Sequence, residues 1–489
     1  MSLSIESIVR RWGRWAAPAT VLGLLGCASA PPAVPDAQPP ASVAVVVAWQ
    51  APLPPAAVAP PSQAADLAAW WRVFGDEGLS QIIERALQAH TSVRAAQAAL
   101  AQARAQRDLT AAATLPGLRA AASAQRGATA QTTSSSFRAG LDASWEVDVF
   151  GARGHALEAS EADARASAAQ LGQARVTLAA EVALTYLEWR AQQHRLQVAR
   201  DNLAAQEAAL QLTEWRAQAG LASQLDRDQA RAAVAQTRSS VAPLEAAVAQ
   251  SRQALAVLAG LPPQADLALP PEGAVPVAAD TLAVAIPADT LRQRPDVQAA
   301  EARLQAAVAR VGQTRAAGWP SLSVGGSLDW RSPRLSDLFD PASLSRALLA
   351  SISASVFDGG ANQAQVRAQQ AAAEQARIAL EAAWLQALQE VESALLSLHA
   401  SRQRLTHLQQ AAEAAASAEA LARHRYASGL IDYRALLDAQ RTRLSAESER
   451  VTALAAWSTD HVRLYKALGG GWRLDTLITD LETIAHDPR

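Results

Sequence analysis

A chain of 489 residues exceeds the length at which a single core stops growing, about 250–300 residues, so several domains or an elongated fold are expected. The net charge of -2 excludes the basic surface of a nucleic-acid binder. Half the residues are hydrophobic, yet the mean hydropathy is -0.01, so apolar and polar residues are interleaved. Beyond the N-terminus no apolar run reaches the roughly 18 residues of a membrane-spanning helix. If the chain crosses a bilayer, it must do so as a closed barrel, which leaves no backbone group unpaired.

Arg10, Arg11 and Arg14 precede a short apolar stretch that ends at Cys27. A basic start followed by such a stretch reads as a secretory signal over 1–26. Cys27 is the one cysteine of the chain, so no internal disulfide is available to it. Leu24-Leu25-Gly26-Cys27 resembles the bacterial lipobox, in which the cysteine becomes the lipidated first residue of the mature protein. Ala28 follows where an Asp would favour inner-membrane retention, so the resemblance implies the outer membrane. Residues 27–65 carry ten prolines between Pro31 and Pro61, which forbid a regular helix and predict an extended tether.

Two halves follow, over 66–275 and 276–469, with a tail over 470–489. Ser92-Val93-Arg94-Ala95-Ala96 is echoed by Asp296-Val297-Gln298-Ala299-Ala300. Likewise Ala219-Gly220-Leu221 is echoed by Ser428-Gly429-Leu430. The offset is about 204–209 residues throughout, too long for a solenoid repeat and fitting a duplicated domain. Within each half a proline-free helical stretch, 153–220 and 360–429, would reach roughly 100 Å. Gly220 and Gly429 stop these helices, and further helices over 222–259 and 431–468 return along them.

Strands are predicted at about 118–125, 136–150, 321–331 and 344–357. Phe137, Ala139, Leu141, Ala143, Trp145, Val147 and Val149 alternate with polar residues or glycine, a period of two that suits a membrane strand facing a wet interior. Four strands cannot close a barrel, so several copies must join their sheet edges. Trp145 and Trp330 are candidates for an aromatic belt at the membrane interface.

Ile286-Pro287-Ala288-Asp289-Thr290-Leu291-Arg292-Gln293-Arg294-Pro295-Asp296-Val297, Trp70-Trp71-Arg72-Val73-Phe74-Gly75-Asp76 and Leu436-Leu437-Asp438-Ala439-Gln440 together resemble the TolC-like outer-membrane factors. The match is to their NodT-type lipoprotein branch, which serves RND efflux pumps. The resemblance runs from the lipobox to Gly469. It implies a mainly α fold with a membrane β-barrel, a homotrimer with twelve barrel strands and a helical tunnel in the periplasm. A periplasmic adaptor (membrane fusion) protein and an inner-membrane RND pump are the implied partners.

In such a duct Asp438 and Tyr426 are candidates for narrowing the pore, the first as part of a carboxylate ring. Arg434 stands where relatives place an apolar ring, so a network of Arg434 with Asp432 and Asp438 would close the tip instead. Gly220, Leu221, Gly429 and Leu430 are candidate adaptor contacts at the hairpin tips. Asp226 and Asp228 are candidates for interhelical pairing or docking. The eight histidines show no metal-ligand grouping. No phosphate-binding glycine loop, metalloprotease helix or nucleophile elbow is present, so no cofactor, metal or catalytic residue is expected. The alternatives are a coiled-coil envelope spacer or adaptor without a channel, which would need no alternating strands, and a duct for type I protein secretion.

Overall fold

The computed structural model describes residues 49–51, 67–130, 133–270, 273–278 and 291–472, all within one unit, Ala37–Arg489. Cys27, most of the tether, Ile286–Thr290 and the end of the tail lie outside them. After a 3-10 segment at Leu67–Phe74, each half opens on a 22-residue helix, α2 (Thr91–Ala112) and α5 (Pro295–Ala316); a shorter helix, α1 (Glu77–Ala89), precedes α2. Two strands follow in each half, β1 (Gly117–Ala128) and β2 (Thr133–Val147), then β3 (Ser321–Ser332) and β4 (Leu344–Ser353). A 67-residue helix comes next, α3 (Ala152–Gln218) and α6 (Ala361–Ala427), and a 35-residue helix last, α4 (Gln224–Leu258) and α7 (Tyr433–Ala467). No described helix is long and apolar enough to cross a membrane.

β2 and β4 end sooner than their hydrophobic alternation predicts, at Val147 and Ser353. Beyond each strand an aspartate starts the next helix. Asp148 Oδ2 accepts the Gly154 N–H at 2.7 Å, and Asp358 accepts those of Gly360 and Asn362 at 2.8 and 2.9 Å. These bonds fold the chain into the helix start, where Gly151 and Gly360 take φ of +80° and +87°, a region glycine enters without strain. The donated N–H groups hold the Asp358 carboxyl below its ordinary range.

The four strands form one antiparallel sheet in the order β1-β2-β3-β4, joined across the halves by β2 and β3. In this register Leu118, Leu141, Trp145, Val147, Leu322, Val324, Leu328, Leu348 and Ile352 share one face. Arg119, Arg138, Asp142, Ser144, Glu146, Ser323, Ser327 and Asp329 share the other. β1 and β4 are free edges, and the apolar face is bare: Leu348 is 85% exposed and Ile352 73%.

The main core lies where α3 packs on α2, α4, α5 and α7. Trp70 is fully buried there, stacked on Tyr465 at 5.3 Å. The Arg294-Pro295-Asp296 segment has a structural task. Pro295 opens α5, at a position where its missing N–H costs nothing. The buried Arg294 donates to Asp296, to Glu390 of α6 at 2.7 Å and to the Ala467 carbonyl at the end of α7 at 2.6 Å. One guanidinium thus ties three helices of the second half together. Residues 49–51 also dock on α6, where Glu392 accepts the N–H groups of Gln50 and Ala51 at 2.8 and 2.9 Å.

Candidate functional site: hairpin tips and sheet face

Both tips are built alike. At the end of α3, Leu221 N–H donates to Arg216 O at 2.7 Å and Gly220 N–H to Ala217 O at 3.1 Å. At the end of α6, Leu430 N–H donates to Arg425 O at 2.8 Å and Gly429 N–H to Tyr426 O at 2.9 Å. This is the Schellman arrangement, with glycine at the left-handed position (φ +75° and +74°). It turns Leu221 and Leu430 outward, 71% and 74% exposed. Trp215 and Leu225 are exposed beside the first tip, an apolar patch that the sequence reading did not single out.

The acidic residues of the tips are placed differently from expectation. Asp226 closes a capping box with Ser223 on its own helix, Asp228 accepts from Gln224 one turn back, and Asp432 caps α7 through the Ala435 N–H at 2.9 Å. Each carboxylate is engaged within its own helix end, so none of the three pairs between helices in the protomer. Asp438 and Arg434 are exposed and form no ion pair with each other or with Asp432. Within one chain these three form no network: the cap takes Asp432, and Arg434 and Asp438 are exposed.

Tyr426 also departs from expectation. It is 3% exposed and so offers no ring to an aperture. Its hydroxyl lies 2.7 Å from Thr213 Oγ1 on α3. The Arg216 guanidinium stacks over its ring at 4.8 Å and donates to its carbonyl at 2.6 Å. Tyr433 meets it edge-on at 5.9 Å, and Ala209, Ala230, Leu436 and Leu437 complete a separate core. The bulky residue expected in the pore instead fastens one hairpin to the other. Thr213 and Arg216, which do the fastening, were missed because nothing local marks them.

Farther from the tip, a cavity of about 230 Å³ opens between α3 and the second hairpin. His194, Asp201, Asn202, Glu419, Gln440, Arg443 and Glu447 line it. Glu419 is buried and gives one oxygen to Arg443 at 3.0 Å, while its other oxygen and both amide atoms of Gln440 have no protein partner. Buried polar groups are normally satisfied, and this volume suffices for several waters at about 30 Å³ each. Burial and the nearby Arg450 push the His194 imidazole below its ordinary value, against an opposing pull from Glu447.

On the polar face of the sheet, Asp329 is 1% exposed and held by Arg331 at 2.6 Å and Arg138 at 3.5 Å, while Arg138 also reaches Asp142 at 2.5 Å. Gly140 stands opposite Asp329, and a Cβ there would overlap the Asp329 side chain. Trp145 and Trp330 stand toward opposite ends of the apolar face. Trp145 Nε1 donates to Thr114 O at 3.0 Å, and Trp330 packs edge-on against Phe339. His399, His407 and His424 are exposed, and no group of metal-ligating side chains occurs among the described residues.

A sheet apolar on one side and charged on the other, continued by paired 67-residue helices, can be compared with known proteins. The family model described as "Outer membrane efflux protein" matches residues 82–261 and 286–470. The chain belongs to the outer membrane efflux protein family. It is 31% identical to the pyoverdine export outer membrane protein OpmQ of Pseudomonas putida, over 93% of this chain and 97% of that one. Among solved structures, the outer-membrane channel OprN is 34% identical with a TM-score of 0.79, covering 87% of this chain and 97% of that one. The open state of the MtrE channel of Neisseria gonorrhoeae is 28% identical with a TM-score of 0.80, covering 90% and 98%. This efflux protein is an outer-membrane channel whose helices extend into the periplasm, and it has no place among enzymes.

Proposed function

We propose that three copies of this efflux protein close a twelve-stranded barrel and a helical tunnel, through which small molecules or ions delivered by an inner-membrane RND pump leave the cell passively. The observation that carries this reading is the four-stranded sheet with two free edges and opposite faces. A bare apolar face belongs in lipid and not in water, and in lipid the unpaired edges are untenable unless another copy covers them. Twelve strands leave an interior wider than the eight-strand limit at which side chains fill the lumen. Lipidation at Cys27 would add a second hold on the membrane.

At the periplasmic end, the Leu221 and Leu430 turns, with Trp215 and Leu225, offer the adaptor exposed apolar side chains. Gly220 and Gly429 set those turns, and Asp226 and Asp228 stand beside the first. Asp438 and Arg434, unpaired in one chain, are free to face their copies around the axis, where three carboxylates would favour cations. The clamp of Thr213 and Arg216 on Tyr426 holds the two hairpins together and so keeps the tip narrow.

The test is single-channel conductance in planar bilayers, wild type beside Asp438→Asn, with mass by light scattering. The expected result is a trimer with a small cation-selective conductance that rises and loses selectivity in the variant. Equal conductance in both forms removes Asp438 from the gate. A monomer that never conducts sinks the channel and favours a spacer.

A further inference from the structure

The apolar face of the sheet carries two charges near one of its ends. In the register Arg126 of β1 stands opposite Ser135. Arg346 of β4 stands opposite Leu328, which faces Leu141. Both arginines therefore share the face of Leu118, Leu141 and Leu348 and not that of Arg119 and Asp142. Both are exposed, and neither forms an ion pair with a described residue.

A guanidinium on a lipid-facing strand is strongly destabilising at the bilayer midplane and close to neutral at its interface. Arg126 and Arg346 sit close to the interface by position, since β1 ends at Ala128 and β4 begins at Leu344. Phe137 and Trp330 occupy the same end of this face, with Phe339 against Trp330 at 5.8 Å. At the opposite end the face carries Leu118, Val147, Leu322 and Ile352 and no charge. The asymmetry assigns the cations to one leaflet. On the channel reading, which this inference rests on, the helices lie in the periplasm and the arginines in the outer leaflet.

We propose that Arg126 and Arg346 bind the phosphates of an anionic phosphorylated lipid of the outer leaflet. Planar guanidinium matches phosphate oxygens in paired hydrogen bonds. Leu344 and Leu348, which flank Arg346 on the same face, would lie under the acyl chains, as a soluble phosphate has no means of covering them. The occupant is a lipid, because only a lipid satisfies the charge and the exposed Leu348 together.

The experiment reconstitutes the full chain in phosphatidylcholine vesicles containing a diphosphorylated glycolipid or the same glycolipid stripped of phosphate. It then measures by mass spectrometry the glycolipid that copurifies. Wild type should retain the phosphorylated form at least about tenfold over the stripped form, the scale of two charge-assisted contacts. An Arg126→Gln/Arg346→Gln variant should fall to the stripped-lipid level, while Arg119→Gln, on the other face, should retain it. The double variant removes charge from a lipid-facing surface, so barrel insertion is preserved and conductance reports it. Equal retention by wild type and the double variant overturns the proposal, as does displacement of the lipid by excess inorganic phosphate. If wild type neither inserts nor conducts, the channel reading itself has failed, and this site with it.

Discussion

Tyr426→Phe removes one hydroxyl and, with it, the 2.7 Å bond to Thr213. A hydrogen bond of this kind contributes about 1 kcal/mol, so opening in bilayer recordings should become roughly fivefold more frequent, and more so with Arg216→Ala. Unchanged opening in both variants would discard the clamp. His194 offers a second test. Its imidazole titrates below the ordinary 6.5 in the folded chain, so the unfolded chain takes up the proton first on acidification. Stability is therefore whole above that value and is lost as the pH falls through it, at most about 1.4 kcal/mol per pH unit for one proton. His194→Gln should flatten this limb of a melting-temperature profile, and an unaltered profile would show that other groups set it. At this scale the sequence reading reached the turns at Gly220 and Gly429, whose signal is local. It did not reach Thr213, which is 213 residues from its partner. Nor did it reveal that Tyr426 is buried, because burial here depends on the other hairpin.

Gly140 shows how an element depends on one missing methyl group. Its place opposite Asp329 leaves room for a carboxylate between Arg138 and Arg331. Gly140→Val would push Asp329 out from between Arg138 and Arg331 and break both ion pairs. Folding into a heat-resistant band on electrophoresis should fail or slow severalfold, whereas Gly325→Ala, whose nearest neighbour is a carbonyl oxygen at 3.5 Å, should not. Normal assembly of the valine variant would show that the ion network is dispensable. Helices and strands were legible because their periods are long and regular: α3 and α6 differ from expectation by a residue or two at each end. The strand ends were less so. Val149 and Val356 continue the alternation, but the ladders end at Val147 and Ser353, and just past Val147 Asp148 turns the chain by capturing the Gly154 N–H.

Across the whole molecule, Arg294 links the start of the second half to the end of its last helix. Arg294→Ala would leave Glu390 and Asp296 without their guanidinium and the Ala467 carbonyl without its donor. The expected loss is about 3 kcal/mol, at the low end for a broken buried pair because both carboxylates still reach water. Thermal melting should show it, and a variant as stable as wild type would mean that the 276–469 half is held by packing alone. The duplicated plan was readable from the sequence, but the number of copies was not, since a free edge requires a neighbour and does not count them.

The 67-residue helices are equal in the two halves, and so are the 35-residue ones. In the proposed trimer, a tube wall made of alternating hairpins must keep one height around its rim, or its mouth becomes ragged. Length changes in one hairpin are therefore tolerated only when matched in the other, and unmatched insertions should accumulate in the outward loops and at the termini. The ancestral duplication thus left a lasting bookkeeping rule: the two halves are free to diverge in side chains but not in length.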